Sequence, residues 1–565
     1  MLLHGFVRDL CTSQFCLPTR ELINFNSNLN NSLPSSKPAV IVPTGPTSEI
    51  VLTHAQLYNN IETIARVLQA SGVASHDVVA MLLPNGIEIV VGFFATGVAG
   101  AAANPLNPQY TEDEIAFYLE DTKCRFMLVP PGLSESSPAR RAAKRFNATC
   151  WEISYDPKAN AVVLQGLGVA SGNPDSLPSL VPPQPNQTAL ILHTSGTTSR
   201  PKAVPLTHKN LRTSALNIAQ TYHFTPDDTG FLVMPLFHVH GLLAGLIAPL
   251  LAGGAIVIQP GKFSASSFWK HFFRYRCSWF TAVPTMHQIL LQQYSKLSKE
   301  AQEEFKETLR KQGRLRFVRS CSSALAPAVH QQLEALYGVP VVEAYAMTEA
   351  THQMTSNNLP PKKRIAGSVG QAEGTVEVAI MDDSGNPVPA GTEGEVCVRG
   401  PTITPGYLNN PKANAETFTK TGFLRTGDRG YMDAEGFVYL TGRLKEMINR
   451  GGEKIMPGEI DAALLSHPAI AEAVAFGAPN SLLGQEVHAA IVVKAGQPVP
   501  TFEDIKRFLR SKLATFKIPV KIHYATELPR TATGKIQRRH VASHFLESQA
   551  QASTQARQPD GRSML

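Results

Sequence analysis

Residues 193–202 read His193-Thr194-Ser195-Gly196-Thr197-Thr198-Ser199-Arg200-Pro201-Lys202, a run of hydroxyl side chains with one glycine and a closing lysine. Apolar runs at 189–192 and 203–206 flank it, which predicts a loop between two buried strands, with Thr207 capping the helix that follows. Hydroxyls, backbone N–H groups and a lysine suit a phosphate group. A Ser/Thr-rich surface turn has the same composition, and the GxxxxGK[ST] spacing of a Walker loop is absent, so the loop alone leaves both interpretations open.

Outward from this loop, helical and strand patterns alternate from residue 50 to about 345, which is typical of sheets covered by helices. Segments 375–380 and 395–399 alternate strictly between apolar and polar residues, which predicts antiparallel strands with one wet face. A compact α+β segment follows residue 442 and includes a helix over 502–513 capped by Thr501. The predicted fold class is α/β: a large N-terminal domain of helix-covered sheets plus a β-rich subdomain, followed by a small α+β C-terminal domain.

The predicted domain boundaries are an N-terminal extension over 1–45, a large domain over 46–441, a small domain over 442–545 and a tail over 546–565. The extension and the tail are polar and are expected to be poorly ordered. The apolar run 241–258 has the length of a membrane span, but Pro249 and two glycines interrupt it. This pattern predicts a buried helix, a turn and a strand, and no transmembrane segment.

The composition of the 565 residues is 43% hydrophobic and 17% charged, with a formal net charge of +7, which is typical of a soluble globular chain. Lysine and arginine are scattered rather than clustered, so nucleic-acid binding is not predicted. The seven cysteines form no CxxC pair and no zinc spacing, which indicates free thiols in a reducing compartment.

Four further motifs follow the loop: Tyr345-Ala346-Met347-Thr348-Glu349, Arg425-Thr426-Gly427-Asp428, Gly442-Arg443-Leu444-Lys445-Glu446 and Gly534-Lys535-Ile536-Gln537. In this order, over residues from about 50 to 545, the set resembles the acyl-CoA synthetase, firefly luciferase and peptide-synthetase adenylation superfamily. The resemblance implies attack of a carboxylate on the α-phosphate of ATP, release of pyrophosphate, and transfer of the acyl group from acyl-AMP to the thiol of coenzyme A.

The resemblance also implies an ATP/AMP site, whose members would be Thr194, Ser195, Gly196, Thr197, Thr198, Lys202, Ser323, Ala324, Glu343, Ala344, Tyr345, Thr348, Asp428 and Arg443. Tyr345 would stack on adenine, and Asp428 with Arg443 would hold the ribose. Glu349, with the Thr348 hydroxyl, would bind Mg²⁺. Without the motifs, Glu349 would be interpreted as a solvated loop carboxylate, and the Asp428–Arg443 pair as a surface salt bridge. Ala203 stands where the family usually has glycine.

In the C-terminal segment the resemblance assigns three further roles. Lys535 would be the catalytic lysine that stabilises charge developing during adenylation, although by composition alone it is a solvated lysine in a basic segment. Lys445 would be the hinge on which a mobile small domain swings between adenylating and thioester-forming orientations. Arg450, Gly451 and Gly452 would line the tunnel for the pantetheine arm of coenzyme A.

Three stretches are expected to line the acid pocket, and they contribute His238, His240, Arg319, Ser320 and His352. A polar, cationic pocket fits a short acid with a second negative charge, because a buried unpaired carboxylate costs several kcal/mol. The alternatives are that these histidines bond to backbone groups, or that His238, predicted to be catalytic, is only an aromatic lid.

The amino-acid sequences of the motifs, such as residues 343–352 and 448–454, resemble those of the oxalate–CoA ligase branch of the superfamily. The resemblance implies that oxalate, ATP and coenzyme A give oxalyl-CoA, AMP and pyrophosphate, the first step of oxalate degradation. The alternatives are a 4-coumarate-type or medium-chain acyl-CoA ligase, a carrier-loading adenylation domain and, in another class, a non-catalytic nucleotide-binding protein. The terminal Ser563-Met564-Leu565 resembles a peroxisomal address, so an import receptor is the expected partner and the peroxisome the expected location, with the cytoplasm as the alternative.

Overall fold

The computed structural model describes residues 36–165, 179–194, 201–261, 263–530 and 536–555, with 548–555 described by their backbone alone. The strands, in chain order, are β1 (Pro38–Pro43), β2 (Glu49–Thr53), β3 (Val78–Met81), β4 (Ala102–Pro105), β5 (Phe126–Val129), β6 (Thr149–Asp156), β7 (Ala161–Gln165), β8 (Thr188–Thr194), β9 (Lys202–Thr207), β10 (Thr229–Leu232), β11 (Ala255–Ile258), β12 (Trp279–Ala282), β13 (Phe317–Cys321), β14 (Val341–Met347), β15 (His352–Ser356), β16 (Gln371–Ala372), β17 (Glu377–Met381), β18 (Gly394–Arg399), β19 (Leu424–Met432), β20 (Val438–Arg443), β21 (Ile448–Arg450), β22 (Glu453–Ile455), β23 (Ile470–Asn480), β24 (Gly484–Val493) and β25 (Lys521–Ala525).

The α-helices are α1 (His54–Ala70), α2 (Ile87–Val98), α3 (Glu112–Asp121), α4 (Pro138–Arg145), α5 (His208–Thr221), α6 (Ala248–Leu251), α7 (Ala265–Arg274), α8 (Pro284–Ser295), α9 (Lys299–Gln312), α10 (Pro327–Tyr337), α11 (Pro411–Thr417), α12 (Pro457–Leu465), α13 (Phe502–Arg510) and α14 (Arg538–Gln555). A π-helix covers His240–Ile247, and short 3₁₀ helices cover Thr348–Ala350, Leu444–Glu446 and Thr515–Lys517. Among the described residues, no helix has both the length and the apolar character needed to cross a membrane.

A seven-stranded sheet has the order β7-β6-β5-β3-β4-β8-β9, with antiparallel strands only at its two edges. Alternate residues of β3 enter two different cores. Val79 and Met81 join the core that contains α1 and α2, whereas Val78 and Ala80 join the core that contains α3 and α4. Both faces of this sheet are therefore covered by helices, as its apolar strands require.

A nine-stranded sheet has the order β16-β15-β14-β13-β12-β10-β11-β1-β2. Its six central strands, from β14 to β1, are parallel, and the edge pairs β14–β15, β15–β16 and β1–β2 are antiparallel. The carboxyl ends of β10, β12, β13 and β14 thus lie along one edge, where ligands of open α/β sheets bind.

Two smaller sheets complete the structure. Strands β17 to β20 form an antiparallel sheet, and β21 to β25 form a five-stranded sheet with a separate apolar core shared with α12 and α13. The fold class predicted from the sequence, an α/β chain with helix-covered sheets, a β-rich part and a smaller α+β part, is confirmed.

Helix starts follow the capping residues of the sequence. Thr207 accepts a hydrogen bond from the Asn210 backbone at 3.1 Å, and its own backbone donates to the Asn210 side chain. Thr501 forms the same capping box with Asp504. The α13 helix ends at Arg510 rather than at residue 513, because residues 511–513 fold into turns on Leu509.

Regular secondary structure extends beyond the predicted limits of the folded part at both ends. Strand β1 lies inside the predicted extension 1–45 and pairs with β2 and β11. The strand was missed in the sequence because prolines flank it, although proline is tolerated at the ends of a strand. Helix α14 runs to Gln555, into the tail 546–565, because the alanine and glutamine of that segment favour helix. Residues 556–565, including Ser563-Met564-Leu565, lie outside the described residues.

Candidate active site

The residues predicted to bind the acid and Mg²⁺ gather at the carboxyl edge of the nine-stranded sheet. His238 follows β10, Arg319 and Ser320 lie in β13, and Thr348 and Glu349 follow β14. Thr281 of β12 pairs with Arg319 of β13 in the parallel register, so strand pairing alone makes these two side chains neighbours. The structure thus brings the predicted acid pocket and the predicted metal ligand to one edge.

The backbone beyond these strand ends is strained. Ser322 has a φ of 77°, Thr351 of 52° and His352 of 90°, all in the region that non-glycine residues rarely adopt. Such conformations persist where the surrounding structure demands them and are frequent at active sites.

The predicted phosphate loop joins the antiparallel strands β8 and β9, and Thr194 pairs with Lys202 across that hairpin. Ser195, Gly196, Thr197 and Thr198 lie outside the described residues. The buried Thr194 hydroxyl has no hydrogen-bond partner within the described residues. A buried hydroxyl without a partner costs free energy, so this site fits a ligand with acceptor atoms, such as a phosphate.

Lys202 lies against two groups that the chain brings from far away. Its Nζ lies 3.9 Å from the centroid of the Tyr407 ring, and the Tyr407 hydroxyl donates to Glu349 Oε1 at 2.7 Å. Burial lowers the pKa of Lys202, and the nearby Glu349 carboxylate opposes that shift. Lysine, aromatic ring and carboxylate form one cluster that can offset phosphate charge and hold a cation beside it.

The sequence interpretation missed Tyr407. Its segment is tied to β9 by the Leu408 N–H donating to Ala203 O at 2.9 Å, and to the Thr348–Ala350 turn by Thr404 N–H donating to Glu349 O at 2.8 Å. Because these are hydrogen bonds between backbone groups, no pattern of residue types in the sequence predicts them.

The predicted ribose pair lies directly beside Tyr345. Arg443 Nε is 2.9 Å from Asp428 Oδ1, and the Tyr345 hydroxyl donates to Asp428 Oδ2. Burial raises the pKa of Asp428, and the positive charge of Arg443 opposes that shift. The Arg443 side chain is 57% exposed, so the pair has one buried and one solvent-facing member. Tyr345 therefore positions the carboxylate as well as offering a ring face.

The remaining predicted nucleotide residues divide into two groups. Ser323 and Ala324 are exposed in the loop after β13, and Ala344 is buried in β14. Glu343 is buried and already accepts from His330 Nδ1 at 3.1 Å and from the Gly367 N–H at 3.3 Å. Its side chain therefore holds two segments together in this structure.

Arg319 is the centre of a buried polar network. Its side chain is fully buried, and all five of its N–H donors are engaged. Nη1 lies 3.2 Å from His240 Nε2, and Nη2 lies 3.1 Å from His352 Nε2. The two imidazole rings are stacked with centroids 5.3 Å apart.

Because an arginine only donates, the ring nitrogens that face it must accept. A ring that accepts at Nε2 is a neutral imidazole with its proton on Nδ1, and this is the form of His240 and His352 that fits the contacts with Arg319. His240 Nε2 also lies 2.6 Å from Thr281 Oγ1. His240 Nδ1 then donates to Ser322 Oγ at 3.0 Å. The guanidinium thus fixes one tautomer in two histidines and supplies the positive charge of the network.

A second layer, which the sequence interpretation missed, supports Arg319 from behind. Tyr222 Oη accepts from Arg319 Nε at 2.9 Å, Gln353 Oε1 accepts from the same guanidinium, and Gln353 Nε2 donates to Glu373. Burial raises the pKa of Glu373 to about 7, with the Gln353 hydrogen bond and the Arg319 charge opposing it. These residues belong to separate motif-free segments, so only the fold reveals the layer.

His240 enters this network from the first residue of the π-helix. A Cβ on Gly241 would lie 2.2 Å from Pro235 O, so this turn needs glycine at that position. Extra-wide helical turns of this kind occur frequently at functional sites. His238, two residues earlier, is half-buried beside Phe237 with ring centroids 4.8 Å apart. Ser320 Oγ is buried with no partner within the described residues, and a ligand could satisfy it.

The predicted hinge and tunnel residues lie at the start of the small α+β part. Lys445 is exposed in the Leu444–Glu446 turn. Gly451 and Gly452 form the tight turn between β21 and β22, with φ of 59° and 95°, and Arg450 pairs with Gly484. Lys535 lies outside the described residues.

The chain matches two family models: "AMP-binding enzyme" over residues 30–408 and "AMP-binding enzyme C-terminal domain" over residues 459–535. It is similar to the oxalate–CoA ligase of Saccharomyces cerevisiae, at 45% identity over 91% of this chain and 96% of that protein. The oxalate–CoA ligase of Arabidopsis thaliana is 46% identical over 88% of this chain and 94% of its own length.

Among solved structures, ATP-bound MatB from Rhodopseudomonas palustris matches with a TM-score of 0.80 at 28% identity, covering 93% of this chain and 99% of MatB. The resemblance inferred from the motifs is confirmed. With one family model covering well over half of the chain and relatives aligned along nearly all of it, the chain belongs to the family of AMP-binding enzymes.

Proposed function

We propose that the chain is an ATP-dependent acid–CoA ligase that converts oxalate, ATP and coenzyme A into oxalyl-CoA, AMP and pyrophosphate through an oxalyl-adenylate. Two relatives named oxalate–CoA ligase, aligned over most of the chain, support the substrate. The observation that carries the proposal is the buried Arg319 network at the carboxyl edge of the sheet.

The charge of that network favours a dianion. Arg319 is always protonated, and its two histidine partners are neutral in the observed geometry. A Glu373 whose pKa lies near 7 compensates the arginine only in part at neutral pH. A second carboxylate on the bound acid would supply the missing counter-charge, whereas an aryl or alkyl group would leave it uncompensated.

The two histidines next to Arg319 determine where hydrogen-bond donors lie in the acid pocket. Arg319 contacts His240 and His352 at their Nε2 atoms, which leaves the Nδ1 atom of each ring on the side away from the guanidinium. His240 Nδ1 lies 3.0 Å from Ser322 Oγ. Neutral N–H donors held in place by a cation suit a carboxylate of fixed size better than a flexible lysine would. Ser320, whose hydroxyl lacks a partner within the described residues, would add a further donor.

For the nucleotide, Lys202, Glu349 and Tyr407 are proposed to face the phosphates, with Tyr345, Asp428 and Arg443 at the nucleoside. Mg²⁺ would be held by Glu349 and Thr348 and would offset the charge of the phosphates. In the described part of the chain, no three His, Cys, Asp or Glu side chains are grouped to hold a metal. That fits Mg²⁺, which proteins usually bind through one or two carboxylates and the substrate's own phosphates.

For the C-terminal part, we propose a small domain that begins at residue 442 and pivots at Lys445. Lys535 would act in adenylation, and Arg450, Gly451 and Gly452 would line the path of coenzyme A. The large domain would begin with β1 rather than at residue 46. We also propose a peroxisomal location, supported by the terminal Ser563-Met564-Leu565.

The test measures AMP formation by the purified chain in the presence of ATP, Mg²⁺ and coenzyme A. Separate reactions contain oxalate, acetate, 4-coumarate or octanoate. We expect oxalate to give the largest kcat/KM. Ready turnover of 4-coumarate or octanoate with no turnover of oxalate would refute oxalate as the substrate. If none of the four acids drives ATP cleavage, the ligase activity is refuted for this range of acids.

A further inference from the structure

Arg538, the first residue of α14, joins three separate parts of the small domain. Its Nε lies 2.9 Å from Glu446 Oε2, its Nη2 lies 2.9 Å from Asp461 Oδ2, and its Nη1 donates to Ala475 O. The side chain is only 17% exposed. A planar guanidinium presents five N–H donors in a rigid fork, which suits two carboxylates and a carbonyl at once.

The contacts of Asp461 make this junction rigid. Asp461 lies in α12, and its Oδ1 accepts from the Ala475 N–H of β23 at 2.5 Å. Helix α12, strand β23 and the start of α14 are therefore held together by one ion pair and its backbone bonds. Because both charges are largely buried, loss of either partner would leave the other without compensation.

Glu446 connects this junction to the chain that enters the small domain. It is the last residue of the Leu444–Glu446 turn and directly follows Lys445. On the other side of that turn, Arg443 is held by Asp428 of β19, whose carboxylate also accepts from Tyr345. Two residues, Leu444 and Lys445, thus separate an arginine held by Asp428 of the four-stranded sheet from a glutamate held by Arg538 of α14.

We propose that Arg538 is a positioning residue that clamps Glu446 to the small domain and so confines the pivot between the two domains to Leu444 and Lys445. The inference rests on the proposed function, since it concerns the movement that the ligase reaction would use. A pivot of two residues makes a rotation about Lys445 carry the whole small domain as one body. Without the clamp, residues 446 and 447 would join the pivot and the two orientations would be less sharply defined.

The test compares Glu446→Gln with Glu459→Gln. The first variant removes the charge that ties the pivot to Arg538 but leaves the Arg538–Asp461 pair that supports the fold. The second removes a similar ion pair in the same domain, because Glu459 Oε2 lies 2.7 Å from Lys517 Nζ. Within the described residues, neither side chain of this pair forms an ion pair with residues 443–446. Arg443 and Lys445 are both exposed, so trypsin can cleave after either residue once the turn opens.

In the full-length proteins, we expect trypsin to cleave after Arg443 at least about threefold faster in Glu446→Gln than in wild type, because local opening governs proteolysis of a folded chain. Cleavage after Lys445 is not compared, since the substitution changes the residue that directly follows that bond. Glu459→Gln should be cleaved at the wild-type rate, with melting temperatures of all three within about 2 °C. Arg538→Lys should behave like Glu446→Gln in proteolysis, since an ammonium cannot keep all three contacts.

Activity provides the second readout. We expect Glu446→Gln to lower the overall turnover with oxalate about fivefold at unchanged KM for ATP, and Glu459→Gln to leave both unchanged. Equal proteolysis of Glu446→Gln and wild type, or equal acceleration in the Glu459→Gln control, would overturn the clamp. Proteolysis needs no substrate, so a wild-type chain that consumes no acid would refute the proposed function while leaving this result readable.

Discussion

Replacing Arg319 by lysine tests whether the guanidinium, rather than a positive charge alone, organises the acid pocket. Arg319 engages all five of its N–H groups, whereas a lysine has three donors on one nitrogen. The three donors on the single ammonium nitrogen of lysine cannot reach His240, His352 and Gln353 together. At least one imidazole then loses its fixed tautomer.

The structure sets the size of the effect. A hydrogen bond to a charged group contributes about 1.5–3 kcal/mol, so losing one such bond that orients the acid lowers kcat/KM for oxalate roughly 10- to 150-fold. Acetate has no second carboxylate, so its much weaker reaction should fall less than about threefold by the same reasoning. The assay is AMP formation with each acid at saturating ATP and coenzyme A.

Arg316→Lys is the matched control. Arg316 precedes the same strand β13 and pairs with Asp228 at 2.5 Å, but its side chain is 35% exposed and lies at the opposite end of the strand from the carboxyl edge. We expect both acids to react with this variant as with wild type. Equal losses for oxalate and acetate in Arg319→Lys would refute the role of Arg319 in acid recognition.

Four further predictions concern other parts of the site. Glu373→Gln should remove a pH dependence of stability. Because the pKa of Glu373 is about 7 in the folded chain against an ordinary 4.5, the protonated carboxyl stabilises the fold at low pH, and about 3 kcal/mol of the free energy of unfolding is lost as the pH rises from 4.5 through 7. Thermal melts at pH 5 and 8 should show this loss in wild type and not in the variant. Tyr407→Phe keeps the ring over Lys202 but removes the donor to Glu349, so ATP–pyrophosphate exchange should fall roughly tenfold, and an unchanged rate would exclude that contact from the reaction. Lys535→Ala should abolish oxalyl-AMP formation but leave thioester formation from supplied oxalyl-AMP largely intact; parallel losses in both steps would contradict its assigned role. A fluorescent protein that carries the last twelve residues of the chain should collect in peroxisomes, and diffuse fluorescence would count against the address.

The sequence predicted those parts of the molecule whose cause is local. The apolar runs on either side of 193–202 are β8 and β9, and Thr207 caps α5, because strand burial and helix capping depend on neighbouring residues. The Asp428–Arg443 pair was predicted from the resemblance of two short motifs, and the two residues face each other in the adjacent antiparallel strands β19 and β20. Local patterns therefore predicted the β8–β9 hairpin and the start of α5.

The rest depends on contacts between distant segments. Tyr222, Gln353 and Glu373 surround Arg319 because a helix end, an edge strand and a loop meet behind β13, and none of them stands in a recognisable motif. The tautomers of His240 and His352 follow from that arrangement and cannot be inferred from residue types. Strand β1 was missed because its prolines resemble loop punctuation, although they stand at the strand ends.

The most direct measurement of the central claim is a two-step single-turnover experiment with the purified wild-type chain. Oxalate, ATP and Mg²⁺ are mixed with the protein in the absence of coenzyme A, and the adenylate is identified by mass before coenzyme A is added. The account predicts that oxalyl-AMP accumulates on the protein and is converted to oxalyl-CoA once the thiol is present. Absence of an oxalyl-adenylate, under conditions in which 4-coumarate or octanoate forms its own adenylate, would contradict the account.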